Sequence, residues 1–324
     1  MDFDLGDVQI AWRDKAGGLG RDVARDPAAA TVVQGAARVG LLDPAADLLT
    51  VTAAVEALSE ESPAAAVALA LHSAVALTVA GEPRFAALFR GETVAAVGLS
   101  SDEVPMEQGG RLFGRAPWVA PITDRGLAVV GPRSGAERVA YVVALDAPGV
   151  TIQSVATAGL AGLVCGHVRF NGAACEPIGA TLPVMTRVRI LMAAAGLGIG
   201  RRALREALAA ARAARTAAAG EQTVQGLLAD AATELDAAML MTWKAAGATD
   251  AAPPRLADAS LAKLMTTSAA QRAVERATQV VGVDSFERGH IIERLAQDVR
   301  ALELFAGRTE ALRAAAAEEL LPRR

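Results

Sequence analysis

From residue 183 to its end the chain reads as long helices joined by short breaks, and nothing else in it constrains the fold as strongly. Helical segments run over 184–217, 221–248, 255–281 and 288–320, with breaks at Gly220, at the stretch 251–254 and near Gly282 to Ser285. Hydrophobic residues make up 52% of the 324, but aromatics only 3%. Alanine, the best intrinsic helix former, supplies much of the difference. Long helices with short connections bury their apolar faces against one another, which predicts an antiparallel four-helix bundle. The last segment has the sharpest pattern. Ile291, Ile292, Leu295, Val299, Leu302 and Phe305 recur at three- and four-residue steps along one face. Gly307 then ends that helix, and a second helical run follows from Thr309 to Leu320.

Upstream the texture differs. Short β-like runs over 93–99, 111–119, 126–130, 138–145, 150–154 and 167–170 are separated by Gly, Pro, Asp and Asn, the spacing of an antiparallel sheet or barrel. Residues before about 90 read as helical. Val51 to Leu58 and Ala64 to Val79 flank an expected turn at 59–63, with Ser62 as N-cap and Pro63 at the first helical position. Arg84 to Phe89 is a shorter helix. The fold class is therefore α+β: a helical domain over 1–90, a β domain over 91–180 and a four-helix bundle over 181–324.

The formal net charge of −4 argues against nucleic acid as a partner, which would require a basic face. Cys165 and Cys175 lack metal-ligand or CxxC spacing and are expected as free thiols. The acidic N-terminus lacks a basic start followed by an apolar core, so a cytoplasmic location is expected. The most membrane-like run, Ala64 to Gly81, is broken by His72, Ser73 and Thr78 and reads as a buried helix of a soluble protein. His72 is expected as a satisfied core histidine, His290 as a structural or exposed one, and Asp298 and Arg300 as bundle electrostatics.

Several motifs, taken in order, resemble the acyl-CoA dehydrogenase family of flavoproteins. Ile292-Glu-Arg-Leu-Ala-Gln-Asp-Val-Arg-Ala301 is similar to that family's IERLxRDxR helix, and Ala277-Thr-Gln-Val-Val-Gly282 to its AxQxxGG turn. Gly307 to Arg313 resembles the tail of its EGTxEIxR segment. Leu227-Leu-Ala-Asp230, Lys263-Leu264, the glycine-rich run 193–207 and Trp118-Val-Ala-Pro121 fall where the family has matching elements. The resemblance covers nearly the whole chain. It implies FAD held between the β domain and the bundle, an acyl-CoA substrate and electron-transfer flavoprotein as electron acceptor. It also implies a glutamate that removes the α-proton while the β-hydride passes to the flavin. The cofactor-binding positions it implies are Gly98, Ser100, Trp118, Ala120, Arg215, Thr216, Gln279 and Gly282. Arg187 and Arg189 are the substrate-binding candidates.

The chain departs from that pattern at the chemistry. The two places where family members carry the glutamate are Ala306 and Val188 here. Neither side chain can accept a proton. The family's glycine pair becomes Gly282-Val283-Asp284-Ser285, and the loop carrying Arg215 and Thr216 is shortened. Glu303, one helical turn from Ala306, is the nearest replacement candidate. Three arrangements follow. One is a subunit lacking the base that pairs with a full-length partner, as in heteromeric bacterial enzymes acting on steroid-derived or otherwise bulky thioesters. The second is an active homo-oligomer with another base. The third is a flavin-free binding or scaffold homologue.

Overall fold

The computed structural model describes residues 4–99, 103–131, 139–213, 222–247 and 253–321. Five helices open the chain: α1 (Asp7–Val23), α2 (Ala29–Arg38), α3 (Leu48–Glu61), α4 (Pro63–Ala76) and the single turn α5 (Ala86–Phe89). The side chain of Asp47 caps α3 by accepting from Thr50 N at 2.7 Å. α3 continues to Glu61, so the expected 59–63 turn shrinks to one extended residue, Ser62. Its own N–H still donates to Leu58 O, and Pro63 opens α4 with no N–H to satisfy. Ser62 makes no side-chain capping bond.

Eight strands follow: β1 (Val94–Gly98), β2 (Met106–Gln108), β3 (Arg111–Val119), β4 (Gly126–Val130), β5 (Val139–Ala144), β6 (Val150–Val155), β7 (Cys165–Ala174) and β8 (Glu176–Ala180). They form two four-stranded sheets, ordered β1-β4-β5-β8 and β2-β3-β7-β6. The expected all-antiparallel arrangement is corrected at one pairing: β1 and β4 run parallel, from Val94 opposite Gly126 to Gly98 opposite Val130. The intervening β2–β3 hairpin belongs to the other sheet, so the chain re-enters beside β1 in the same direction.

The bundle consists of α6 (Thr181–Ala213), α7 (Gln222–Ala246), α8 (Leu256–Val281), α9 (Ile291–Leu304) and α10 (Thr309–Leu320). α6 is its axis. By length and composition it could cross a membrane, yet 78% of its apolar window is buried within the protein. Gly198 lets α3 come close: a Cβ there would lie 2.4 Å from Glu56 O and 2.5 Å from Ser59 Cβ. Ser59 Oγ also donates to Ala195 O at 2.6 Å, which fixes the two helices in register.

Two side chains join the domains. His72 is fully buried; its Nδ1 accepts from Ala95 N at 3.1 Å, which leaves Nε2 to donate to Leu88 O at 3.2 Å. One neutral imidazole thus ties α4 to β1 and α5, and burial pushes its pKa down to about 4. Asp298 on α9 corrects the expectation of bundle electrostatics. Its carboxylate accepts from Leu160 N, in the loop before β7, and burial pushes its pKa up to about 6. Arg300 is exposed and makes no ion pair among the described residues. His290 caps α9, its Nδ1 accepting from Ile292 N at 3.2 Å. Cys165 and Cys175 are buried free thiols.

Candidate functional site

Strand ends and the head of α6 meet at one corner of the molecule. Val97 and Ala120 exchange backbone hydrogen bonds at 2.7 and 3.2 Å, bringing the end of β3 against β1. Gly98 is required there, because a Cβ would lie 2.7 Å from Val119 Cγ2. At the end of β4, the corresponding position on Gly131 faces Thr181 Cγ2 at 2.9 Å and Leu99 Cδ2 at 3.2 Å. The first residue of α6 therefore lies beside the ends of β1 and β4.

Trp118 stands at this corner. The β3–β7 register shifts between Ala116 and Val119, and Trp118 takes a left-handed φ of 55°. That conformation is rare for a residue with a bulky side chain. It leaves the residue 53% exposed and its indole in a T-shaped contact with the His167 ring, centroids 5.5 Å apart. Trp118 N points to His167 Nδ1 at 3.4 Å. An exposed indole suits contact with a planar ligand.

Further along α6, two arginines leave in different directions. Arg187 is half-buried, and its Nη1 donates to Thr78 Oγ1 at 3.3 Å and Pro183 O at 3.5 Å. Arg189 is buried; Nε donates to Ala306 O at 3.2 Å and Nη1 to Ser260 Oγ at 2.8 Å. From α8, the buried Lys263 donates to Glu303 O at 3.1 Å and Gly307 O at 3.0 Å. Three bonds from Arg189 and Lys263 thus hold the turn after α9, with Ala306 in a left-handed conformation at φ 59°. Burial pushes both arginines below their usual range, and it pushes Lys263 down to about 7 with help from the neighbouring Arg189 charge.

Val188 is buried between the two arginines. Glu303 faces elsewhere: its two oxygens accept from Gln271 Nε2 at 2.8 Å and Thr309 Oγ1 at 3.3 Å. Sequence reasoning quoted Lys263 but gave it no role, and it missed Ser260 and His167. A signal existed for the lysine, which interrupts a stripe formed by Ala259, Thr266 and Ala270 on the buried face of α8.

The remaining candidates lie apart. Gly282, φ 81°, caps α8 with open space around it, and Gln279 beside it is exposed. Nineteen residues of helix put Gly282 about 28 Å from Lys263. One chain therefore does not bring Gln279 and Gly282 to the Arg189 end. Ser100, Arg215 and Thr216 lie outside the described residues. A 640 Å³ hollow beside Arg38, Phe89 and Arg90 and a 390 Å³ hollow beside Arg13, Arg201 and Arg205 contain none of these candidates.

Residues 179–321 match the family model described as acyl-CoA dehydrogenase, C-terminal domain. Over 198 residues the chain is 30% identical to the 3-sulfinopropanoyl-CoA desulfinase of Paraburkholderia xenovorans, covering 56% of this chain and 50% of that protein. Over 234 residues it is 28% identical to the benzylmalonyl-CoA dehydrogenase of Aromatoleum aromaticum, covering 64% and 59%. The chain thus spans about half the length of the curated relatives it matches. The butyryl-CoA dehydrogenase structure from Megasphaera elsdenii shares the fold, with a TM-score of 0.85 at 19% identity over 99% of this chain and 100% of that one.

Proposed function

We propose, for a chain whose residues 179–321 belong to the acyl-CoA dehydrogenase family and whose fold throughout is that family's, that it forms the base-less half of a two-chain, FAD-dependent acyl-CoA dehydrogenase. The observation that carries this reading is the turn at Ala306. Arg189 and Lys263 hold it in place, yet no carboxylate stands at Ala306 or Val188, and Glu303 is engaged with Gln271 and Thr309. An α-proton beside a thioester is weakly acidic, and a positioned carboxylate speeds its removal by about 10²–10⁴-fold. Here the second chain, a full-length relative with a glutamate at the equivalent of Ala306, supplies that group.

The residues present fit FAD in two separated parts. Trp118 offers an exposed indole near Gly98 and Ala120, and Gly282 offers open backbone beside Gln279. The distance of about 28 Å along α8 between Gly282 and the Lys263 end supports a cofactor held by two chains. When bound, FAD supplies the hydride acceptor for α,β-desaturation. Arg189 and Lys263 hold the turn that walls the acyl group, and Arg187 faces the head of α6. Electron-transfer flavoprotein is the acceptor in this reading, and the assembly works in the cytoplasm.

Expressing the chain alone and together with a full-length homologue encoded beside it tests the proposal. The expected result is a yellow complex that oxidises an acyl-CoA, and a chain that is inactive by itself. A yellow chain oxidising acyl-CoA at ordinary rates alone would overturn it. A partner equally active without this chain would do so as well.

A further inference from the structure

The arginines at the head of α6 differ from the others that the fold removes from water. Among the described residues, the half-buried Arg13, Arg115, Arg201, Arg202, Arg272 and Arg276 each meet a carboxylate within salt-bridge distance. Arg187 and Arg189 meet none. A desolvated cation without a counter-charge is unfavourable, so a fold that pairs the rest and leaves these two unpaired leaves room for an anion from outside.

The free donors show which arginine receives it. Arg189 spends Nε and Nη1 on the Ala306 turn and Ser260. Arg187 uses only Nη1, at 3.3 and 3.5 Å, on two neutral oxygens. Its Nε and Nη2 have no acceptor among the described residues. Those two groups form the side-on edge that takes both oxygens of a carboxylate at once. The side chain also runs back toward the start of α6, as helical side chains do and as its bond to Pro183 O shows. The side chain therefore lies along the first two turns of α6, whose first residue borders the ends of β1 and β4.

We infer that the acyl group taken by this site carries its own carboxylate, bound by the Nε–Nη2 edge of Arg187. The inference rests on the acyl-CoA reading above and narrows its substrate class to thioesters of dicarboxylic acids. A phosphate of CoA shares the oxyanion chemistry, and the test separates the two sources.

Calorimetric titration of the full chain, together with any subunit that co-purifies, compares glutaryl-CoA, pentanoyl-CoA and CoA itself. These ligands differ in one carboxylate or in the whole acyl group. Glutaryl-CoA is expected to bind on the order of tenfold more tightly than pentanoyl-CoA, the scale of one charge-assisted bidentate contact. In Arg187→Met that ratio falls to about one, and in Arg187→Lys it lies in between. Equal affinity for the two thioesters in the unaltered protein overturns the inference and leaves the acyl-CoA reading standing. A ratio that survives Arg187→Met overturns the assignment to Arg187. A loss that falls equally on CoA alone makes the anion a phosphate and overturns it too. Failure of all three ligands to bind removes both readings.

Discussion

The two ends of α6 handle charge in opposite ways. At its middle and tail, Arg201, Arg202 and Arg205 meet Glu56, Glu60, Glu61 and Glu206. Arg13 of α1 joins Glu56 and Glu60 from the other side. Glu56 has no exposed surface, and its Oε1 is shared by two arginines, so α1, α3 and α6 are joined by a network of opposite charges. At the head of the same helix, Arg187 and Arg189 face only hydroxyl and carbonyl oxygens. A scaffold needs its charges neutralised within the chain. A binding site can leave them waiting.

If the tail is structural, breaking it should cost most. Glu56→Ala leaves Arg13 and Arg201 without their shared partner and is expected to lower stability by about 3–5 kcal/mol, measured as a shift of the urea midpoint. The same kind of deletion at the head should cost less. Lys263→Met gives up two hydrogen bonds but also removes a desolvated charge, so a loss of about 1–2 kcal/mol is expected. The variant also changes the pH response. Lys263 has its pKa pushed down to about 7 in the fold from 10.5. Between those values the unfolded chain binds the extra proton, so this part of the stability rises with pH across that window. Lys263→Met should lose that rise; a parallel rise in the variant would assign it to another group.

Asp298 gives a smaller effect of the opposite sign. Its pKa is pushed up from 3.8 to about 6, so the folded chain binds the extra proton between those values. The stability it contributes is present below that window and is lost as pH rises through about 6. Asp298→Asn keeps an oxygen for Leu160 N and carries no charge. It should match or exceed the parent at pH 7.5 by less than about 1 kcal/mol, and lack the parent's gain on acidification. For catalysis the smallest effect is expected from Ala306→Glu. A lone carboxylate at that turn does not complete the separated cofactor contacts, and dye-reduction assays with acyl-CoA should stay near background. Strong dehydrogenation by this single variant would make the chain self-sufficient apart from one side chain.

What could be read from the sequence follows from how local each signal is. The bundle segments and most strands announce themselves by periodicity, and the core role of His72 follows from its apolar surroundings. Met106–Gln108 and Glu176–Ala180 are too short and too polar to show as strands. The parallel pairing of β1 with β4 depends on a hairpin that leaves for the other sheet, which no window of residues records. The tether from Asp298 to Leu160 joins positions 138 residues apart. At the site, Arg187 and Arg189 were legible as types and positions. Their different partners were not, because residues two apart on a helix face nearly opposite ways. Lys263 could have been found, since a lysine on an alanine stripe needs a polar partner inside the fold.

The close approach at Gly198 has a consequence for chemistry some distance away. A slip of α6 by one residue would turn every side chain on it by about 100°. Arg187 would then leave Thr78, and Arg189 would leave Ser260. At the head, only two neutral bonds of 3.3 and 3.5 Å hold Arg187, and two more hold Arg189. The notch at Gly198 prevents the slip, because any other residue brought there would drive a Cβ into the α3 backbone. The aim of the arginines is therefore set about eleven residues, or roughly 16 Å, from where they act. Gly198→Ala should disturb ligand preference as well as stability, though it touches no ligand.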